Sequence, residues 1–257
     1  MASDPTRPLA PAEWHAWFSV QAGWTRQIRQ WLYPEAGLTQ ARAVLEVGCG
    51  TGVVTEELAC TSSTRVIGLD HDPAMLAFAR ARWDGAAYVC SDAHTLPFSD
   101  QVFDIVVCHY LLLWLADPMR GLQEMARVVR PGGYVLACAE PDYGGRIDYP
   151  SDLAAMGRLQ SVSLRQQGAD PEIGRQLGEL FVTAGLKTTV GTLAGQWRLP
   201  SPPDAWFEAE WTMREHDLAG LLPATEMQRL HALDRQALTE GKRILFVPTF
   251  YALGRRV

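Results

Sequence analysis

From Ala43 onward, short apolar runs alternate with stretches in which apolar residues recur every three or four positions. The runs AVLEV (43–47), RVIGLD (65–70), AAYVC (86–90), FDIVVC (103–108) and YVLACAE (134–140) read as strands. Between them, Val53 to Cys60, Pro73 to Trp83 and Pro118 to Arg130 carry the helical period. Apolar strands separated by such helices are the pattern of a parallel sheet covered on both faces. Pro131-Gly132-Gly133 should close the third helix, because proline cannot extend it and glycine accepts a sharp turn.

Past Glu140 the rhythm changes. Ser151 to Gly168 and Pro171 to Gly185 predict helices, Lys187 to Leu199 a strand, about Pro203 to Thr239 a helical insertion, and RILFVPTFYALGRR a final strand. The expected fold is α/β: a doubly wound, seven-stranded, mostly parallel sheet with helices on both faces and a helical cap from the N-terminus and two insertions in the C-terminal half. One domain over 1–257 is expected, with an N-terminal helical lid (1–40), a core (41–140), cap insertions (141–186 and 200–240) and final strands (187–199 and 241–257).

Composition narrows the classes. The chain has 257 residues, 47% hydrophobic and 20% charged, which suits an ordinary globular core. Its net charge of -6 gives no long-range attraction to nucleic acid or an anionic membrane. The five cysteines (Cys49, Cys60, Cys90, Cys108, Cys138) are odd in number, and four fall in strands or at their ends. They read as small buried hydrophobes of a reducing compartment, and none pairs at zinc-ligand spacing, so no metal is expected. The N-terminal stretch MASDPTRPLAPAEWHAWF has prolines and charges where a secretory signal needs an apolar run, so a cytoplasmic protein is expected. Ile105 to Ala116 is the most apolar stretch and ends at Asp117-Pro118, far short of the ~20 residues that span a bilayer.

The chemistry centres on Glu46-Val47-Gly48-Cys49-Gly50-Thr51-Gly52, where a buried strand runs into a three-glycine turn and then a helix. Glycines at 48, 50 and 52 clear side chains from the turn, and the helix presents its N-terminal amides and positive dipole end. A simple strand-to-helix turn is the rival explanation. A dinucleotide site of the G-x-G-x-x-G kind would need glycine where Val53 stands. Asp70, ending the second strand, is placed to accept hydrogen bonds from ribose hydroxyls, and Asp92 from an exocyclic adenine amine. Asp72, before Pro73, suits a helix N-cap.

The ordered set EVGCGTG, GLDHDPAML, SDAHTLPF, FDIVVCHYLLLWL and RVVRPGGYVL resembles the class I (Rossmann-like) S-adenosylmethionine-dependent methyltransferases, in their ubiquinone-biosynthesis-like small-molecule branch. The resemblance is detailed over about 43–140 and loose in the flanks. It implies that Glu46, Gly48 and Gly50 surround the methionine part of the cofactor, with Cys49 and Gly52 also among the cofactor-binding residues. It further implies that Asp70 holds the ribose, His71 and Met75 flank the adenine, Ser91, Asp92 and Ala93 meet its edge, and Cys108 and His109 lie beneath the sulfonium.

The implied function is methyl transfer from S-adenosylmethionine to a small-molecule acceptor by direct in-line displacement, in a monomer or homodimer without membrane insertion. Candidate bases are His109, Tyr110 and Tyr143, with His216 further along; a satisfied core histidine is the plain alternative for His109. Tyr143, Arg146 and His216 are candidate substrate contacts, Arg146 through its forked guanidinium on an anionic group; Arg158, Arg165 and Arg175 share the cap. Trp14, Trp17, Trp24 and Trp31 form one helical stripe, either core or lid. Two alternatives stand beside this: a relative that binds S-adenosylmethionine without transfer, and an NAD(P)-dependent oxidoreductase, opposed by Val53. Nucleic-acid methylation is opposed by Cys108-His109-Tyr110-Leu111 standing where an Asn/Asp-Pro-Pro-Tyr would be, and no paired-glutamate loop of a protein arginine methyltransferase is present.

Overall fold

The computed structural model describes residues 8–62, 64–193 and 195–257. The first seven residues of the expected lid, and Ala194 in the expected strand 187–199, therefore lie outside the described residues. Two helices open the chain, α1 (Pro11–Trp24) and α2 (Arg26–Glu35). The core follows as β1 (Ala43–Val47), α3 (Val53–Thr61), β2 (Arg65–Asp70), α4 (Pro73–Arg82), β3 (Ala87–Cys90), β4 (Phe103–Cys108), α5 (Pro118–Val128) and β5 (Val129–Pro141). The remainder is β6 (Ile147–Tyr149), α6 (Ala154–Gln166), α7 (Leu177–Thr183), β7 (Leu186–Thr192), α8 (Ala205–Asp217), α9 (Ala224–Thr239), β8 (Ile244–Phe246) and β9 (Thr249–Arg256).

Seven strands form one sheet in the order β3-β2-β1-β4-β5-β9-β7. The pairs β3/β2, β2/β1, β1/β4 and β4/β5 are parallel, and β9 runs antiparallel to both neighbours. Strand order reverses between β1 and β4, and the carboxyl edge at such a switch point opens a crevice. Burial on both faces explains the unbroken apolar runs: Val44, Leu45, Val47, Val106, Val107 and Cys108 are fully buried. One face packs around Leu45, Val106, Leu122 and Phe181, the other around Leu32, Val44, Leu58 and Leu136.

Five expectations need correction. Pro131-Gly132-Gly133 lies inside β5 and not before it: Phe103 pairs with Val129 and Ile105 with Tyr134, so six residues of β5 face three of β4 in a bulge. Gly132, at φ 80°, supplies the left-handed residue the bulge needs. The final run splits at Val247–Pro248, since proline withholds the amide a continuing ladder would use; β8 pairs with β6 in a separate two-stranded ribbon, so the cap is not purely helical. The insertion at 203–239 is two helices parted at 218–223, and the N-terminal helix is parted at Thr25, leaving Trp31 on α2 against Tyr251 and away from the other tryptophans. The expected strand to Leu199 stops at Thr192.

Candidate active site at the carboxyl edge of the sheet

A cavity of about 1040 Å³ opens over the carboxyl ends of β1, β2, β3 and β4, roofed by α1 and by the cap. Its floor is the glycine turn. Gly48, Gly50 and Gly52 all take left-handed φ (75°, 49° and 83°), a conformation that side chains resist. The turn is pinned from β2: Gly48 and Cys49 amides donate to the Leu69 carbonyl at 2.7 and 3.0 Å, and the Gly50 amide donates to Asp70 Oδ2 at 2.7 Å. Asp70 Oδ1 also accepts from the Asp72 amide at 3.0 Å. Asp72 is the N-cap of α4, accepting from Ala74 and Met75 amides, so the two aspartates divide the roles the sequence left open.

Among the expected cofactor residues, Glu46, Gly48, Cys49, Gly50, Asp70, His71, Met75, Ser91, Asp92, Ala93 and His109 line this one cavity. Two do not reach it. A β-carbon on Gly52 would meet the Tyr88 hydroxyl and Ala79 instead, and Cys108 is wholly buried in β4 beneath the floor. Asp92 is exposed and already accepts from the His94 amide (2.8 Å) and ring Nδ1 (2.7 Å), contacts that lower its pKa. Glu46 is buried, and burial pushes its carboxyl up to about 8 against the opposing hydrogen bond from Thr55 and charge of Arg29.

The candidate bases differ. His109 Nε2 lies 2.8 Å from Thr25 Oγ1 and 3.3 Å from Arg29 Nη1, and burial with the Arg29 charge holds its pKa well below the usual histidine value. Tyr110 sits at φ 52°, a strained conformation for a non-glycine residue. The loop that carries it is fixed by fully buried Glu140, whose carboxylate accepts from the amides of Leu111 (3.0 Å), Leu112 (2.9 Å) and Leu113 (3.2 Å). Burial pushes Glu140 up to about 7 against those three bonds. Tyr143 lines the cavity with its hydroxyl pushed up to about 12 by burial, and its ring lies 5.9 Å from the Arg146 guanidinium.

The cap corrects the substrate expectations. Arg146 reaches the cavity, but its fork is occupied by Asp148 (2.6 Å) and Gln160 (2.5 Å). Arg175 is forked onto Asp142 (2.7 and 2.6 Å), Arg165 pairs with Glu172, and Arg158 is exposed. His216 does not line the cavity; its ring stands edge-on to Trp14 at 6.3 Å. Trp14, Trp17 and Trp24 do line it, and Phe18 closes over Gly50, whose β-carbon would come within 2.9 Å of that ring.

Several residues of the site went unread. Arg29, Thr25, Glu140, His94, Gln160, Arg214 and Asp217 carry its hydrogen bonding or its walls. Glu140 alone left a signal, a carboxylate closing an otherwise apolar run.

Residues 45–137 match the family model described as a methyltransferase domain. The chain is 34% identical over 196 residues to an uncharacterized 37.1 kDa protein of transposon TN4556 from Streptomyces fradiae, covering 73% of this chain and 56% of that protein. It is 40% identical over 115 residues to the demethylmenaquinone methyltransferase of Mycolicibacterium vanbaalenii, covering 45% of this chain and 47% of the enzyme. The chain thus spans about half the length of the curated relatives it matches. In fold it matches the phosphoethanolamine N-methyltransferase 2 of Haemonchus contortus, solved with S-adenosylhomocysteine, at TM-score 0.58 and 17% identity over 93% of this chain and 57% of that one. With its sheet order, its glycine turn and the family match over 45–137, the chain carries a class I, Rossmann-like methyltransferase domain.

Proposed function

We propose that this chain binds S-adenosylmethionine along the carboxyl edge of β1, β2 and β3 and transfers its methyl group to a small-molecule acceptor held under the cap. The observation that carries this is one cavity joining the glycine turn, Asp70 at the end of β2 and Asp92 after β3. The donor set suits the group. The left-handed glycines leave the turn bare, Glu46 is a buried carboxyl facing a cavity where a cation would stabilise its charge, and Asp70 retains lone pairs for ribose hydroxyls. Ser91, Asp92 and Ala93 would meet the adenine edge, with His71 and Met75 beside the ring.

When bound, S-adenosylmethionine supplies an electrophilic methyl group on a good leaving group. The protein's part is alignment and exclusion of water; alignment alone can lower such a barrier by about 7–11 kcal/mol in favourable cases. Phe18 on α1 covers the turn, Trp14 and Trp17 line the cavity from the same helix, and Tyr143, Gln160 and Met213 line it from the cap. A small-molecule acceptor is supported by the demethylmenaquinone methyltransferase among the relatives and by the enclosure of the cavity.

Calorimetric titration of the cofactor-stripped protein with S-adenosylmethionine, S-adenosylhomocysteine and NADH in parallel tests this. Binding of the two sulfur nucleosides and not NADH is expected. Preference for NADH overturns the assignment, and a chain that binds but never releases S-adenosylhomocysteine across an acceptor screen is a non-catalytic relative.

A further inference from the structure

We propose that His109 is held as a neutral imidazole protonated on Nδ1, a hydrogen-bond donor into the cavity and not a base, with Arg29 as the positioning residue that fixes it. The argument begins with a lone pair. A guanidinium can only donate, and Arg29 Nη1 lies 3.3 Å from His109 Nε2, so Nε2 must be the unprotonated nitrogen. Thr25 Oγ1 itself accepts from Arg29 Nη1 at 2.5 Å, and of the acceptors in reach of its own hydrogen, the Gln21 carbonyl at 3.3 Å, the Ala22 carbonyl at 3.5 Å and His109 Nε2 at 2.8 Å, Nε2 is the nearest. In a neutral ring the proton then belongs to Nδ1.

Arg29 has no room to yield. It is wholly buried, donates to Glu57 through Nε (2.8 Å) and Nη2 (2.7 Å), and donates from Nη2 to the Ala22 carbonyl at 2.8 Å. A proton arriving on Nε2 would face this fixed cation across a dry contact, since Thr25 is 1% and Arg29 0% exposed. The other charged or titratable groups nearby are Glu57 of α3 behind Arg29, Tyr33 of α2, Cys138 of β5, Glu46 of β1, and Tyr110 next in the chain. None offers Nε2 an acceptor in place of the cation.

The opposite edge of the ring is the open one. His109 is half-buried and lines the cavity while its Nε2 partners are sealed, and no hydrogen bond among the described residues reaches Nδ1. The group it takes is a lone-pair-bearing oxygen or nitrogen of the bound molecule, with the ring polarising that atom and removing no proton from it. This specifies one residue of the proposed methyl-transfer site, but its geometry rests on the ring contacts alone.

The test is nitrogen NMR on histidine-labelled full-length protein without ligand, from about pH 5 to about pH 8. His109 is assigned by its disappearance in His109→Asn. The expected spectrum has a protonated Nδ1 and a bare Nε2 that do not change over that range. A proton on Nε2, or an imidazolium forming with a midpoint of about 6 or above, overturns the proposal. In Arg29→Met an imidazolium should become detectable at the acid end of that range, where the wild type shows none; a ring still neutral at about pH 5 overturns the role of Arg29. Should that variant fail to fold, the wild-type spectra decide the donor assignment alone, and Arg29→Gln, which removes the charge and keeps a donor in the buried site, carries the second arm with the same expected direction. None of these measurements uses S-adenosylmethionine, so a failed cofactor titration and a failed tautomer assignment are separate results.

Discussion

Glu46 makes cofactor affinity a function of pH, with a sign and a size that follow from its burial. The carboxyl is 2% exposed at the end of β1, takes one side-chain hydrogen bond, from Thr55, and is pushed up to about 8. At pH 7 such a group is about nine-tenths protonated. A sulfonium or ammonium placed beside it stabilises only the ionised form, so binding must expel that proton. Affinity for S-adenosylmethionine should therefore rise with pH, by about tenfold or ~1.4 kcal/mol between pH 7 and pH 9, and level off above. Titration at pH 7 in two buffers of different ionisation enthalpy should report release of about 0.9 proton per site. Glu46→Gln should abolish both effects while still folding, because the amide can keep the Thr55 contact. An affinity that stays flat from pH 7 to pH 9 in the wild type, with no buffer-dependent heat, would refute the placement of the cationic end of the cofactor at Glu46.

The same residue sets a stability trend. Its folded pKa is raised from 4.5 to about 8, so its contribution is fully present below the unfolded value and is lost as pH climbs through the folded one; Glu46→Gln should raise the melting temperature at pH 8 more than at pH 5. Asp70→Ala removes the acceptor of the Gly50 amide as well as the expected ribose contact, and should weaken S-adenosylmethionine binding by roughly 1–3 kcal/mol in calorimetry; unchanged affinity would move the ribose elsewhere. Gly50→Val should abolish measurable binding in a folded protein, since it adds a branched side chain at φ 49° and strikes Phe18; circular dichroism and titration together check it. Asp234→Ala strips the partner shared by Trp211, Arg214 and Arg243 and should cost about 3–5 kcal/mol in denaturant unfolding.

The core was legible because its signals are local. A strand buried on both faces shows as an unbroken apolar run, and β1, β2 and β4 have the limits read from the sequence. Glycines in left-handed φ announce a bare turn by their spacing. Proline was misread where its consequence is not local: Pro131 lies in a bulge that exists only because β4 is alongside, and Pro248 breaks a run whose two halves find partners in different sheets. The role of Arg29 was invisible for a similar reason. On α2 it looks like any helical arginine, and only the fold brings Glu57, 28 residues on, and His109, 80 residues on, to its fork.

The cap shows the same limit with more consequence for recognition. Arg146, Arg214 and Arg243 are shared among Asp148, Glu210 and Asp234, with Arg243 reaching Asp148 across 95 residues, so three guanidinium groups meet three carboxylates within the cap. Sequence spacing predicts none of the long pairs, which is why Arg146 was expected to grip an anion. Both arginines that line the cavity are instead already forked onto carboxylates of the chain. Freeing either would strip a buried carboxylate, Asp148 or Asp234, of one of its two guanidinium partners and leave Arg243 as the other, a loss that an incoming anion would have to offset before gaining anything. The carboxylate outside those ion pairs is Asp217, which accepts from Gln160 at 3.5 Å and is pushed up to about 6 by burial against that bond and the nearby His216 and Arg214. The polar end of the cavity therefore presents Gln160 and Asp217, not an unpaired guanidinium, to whatever enters it.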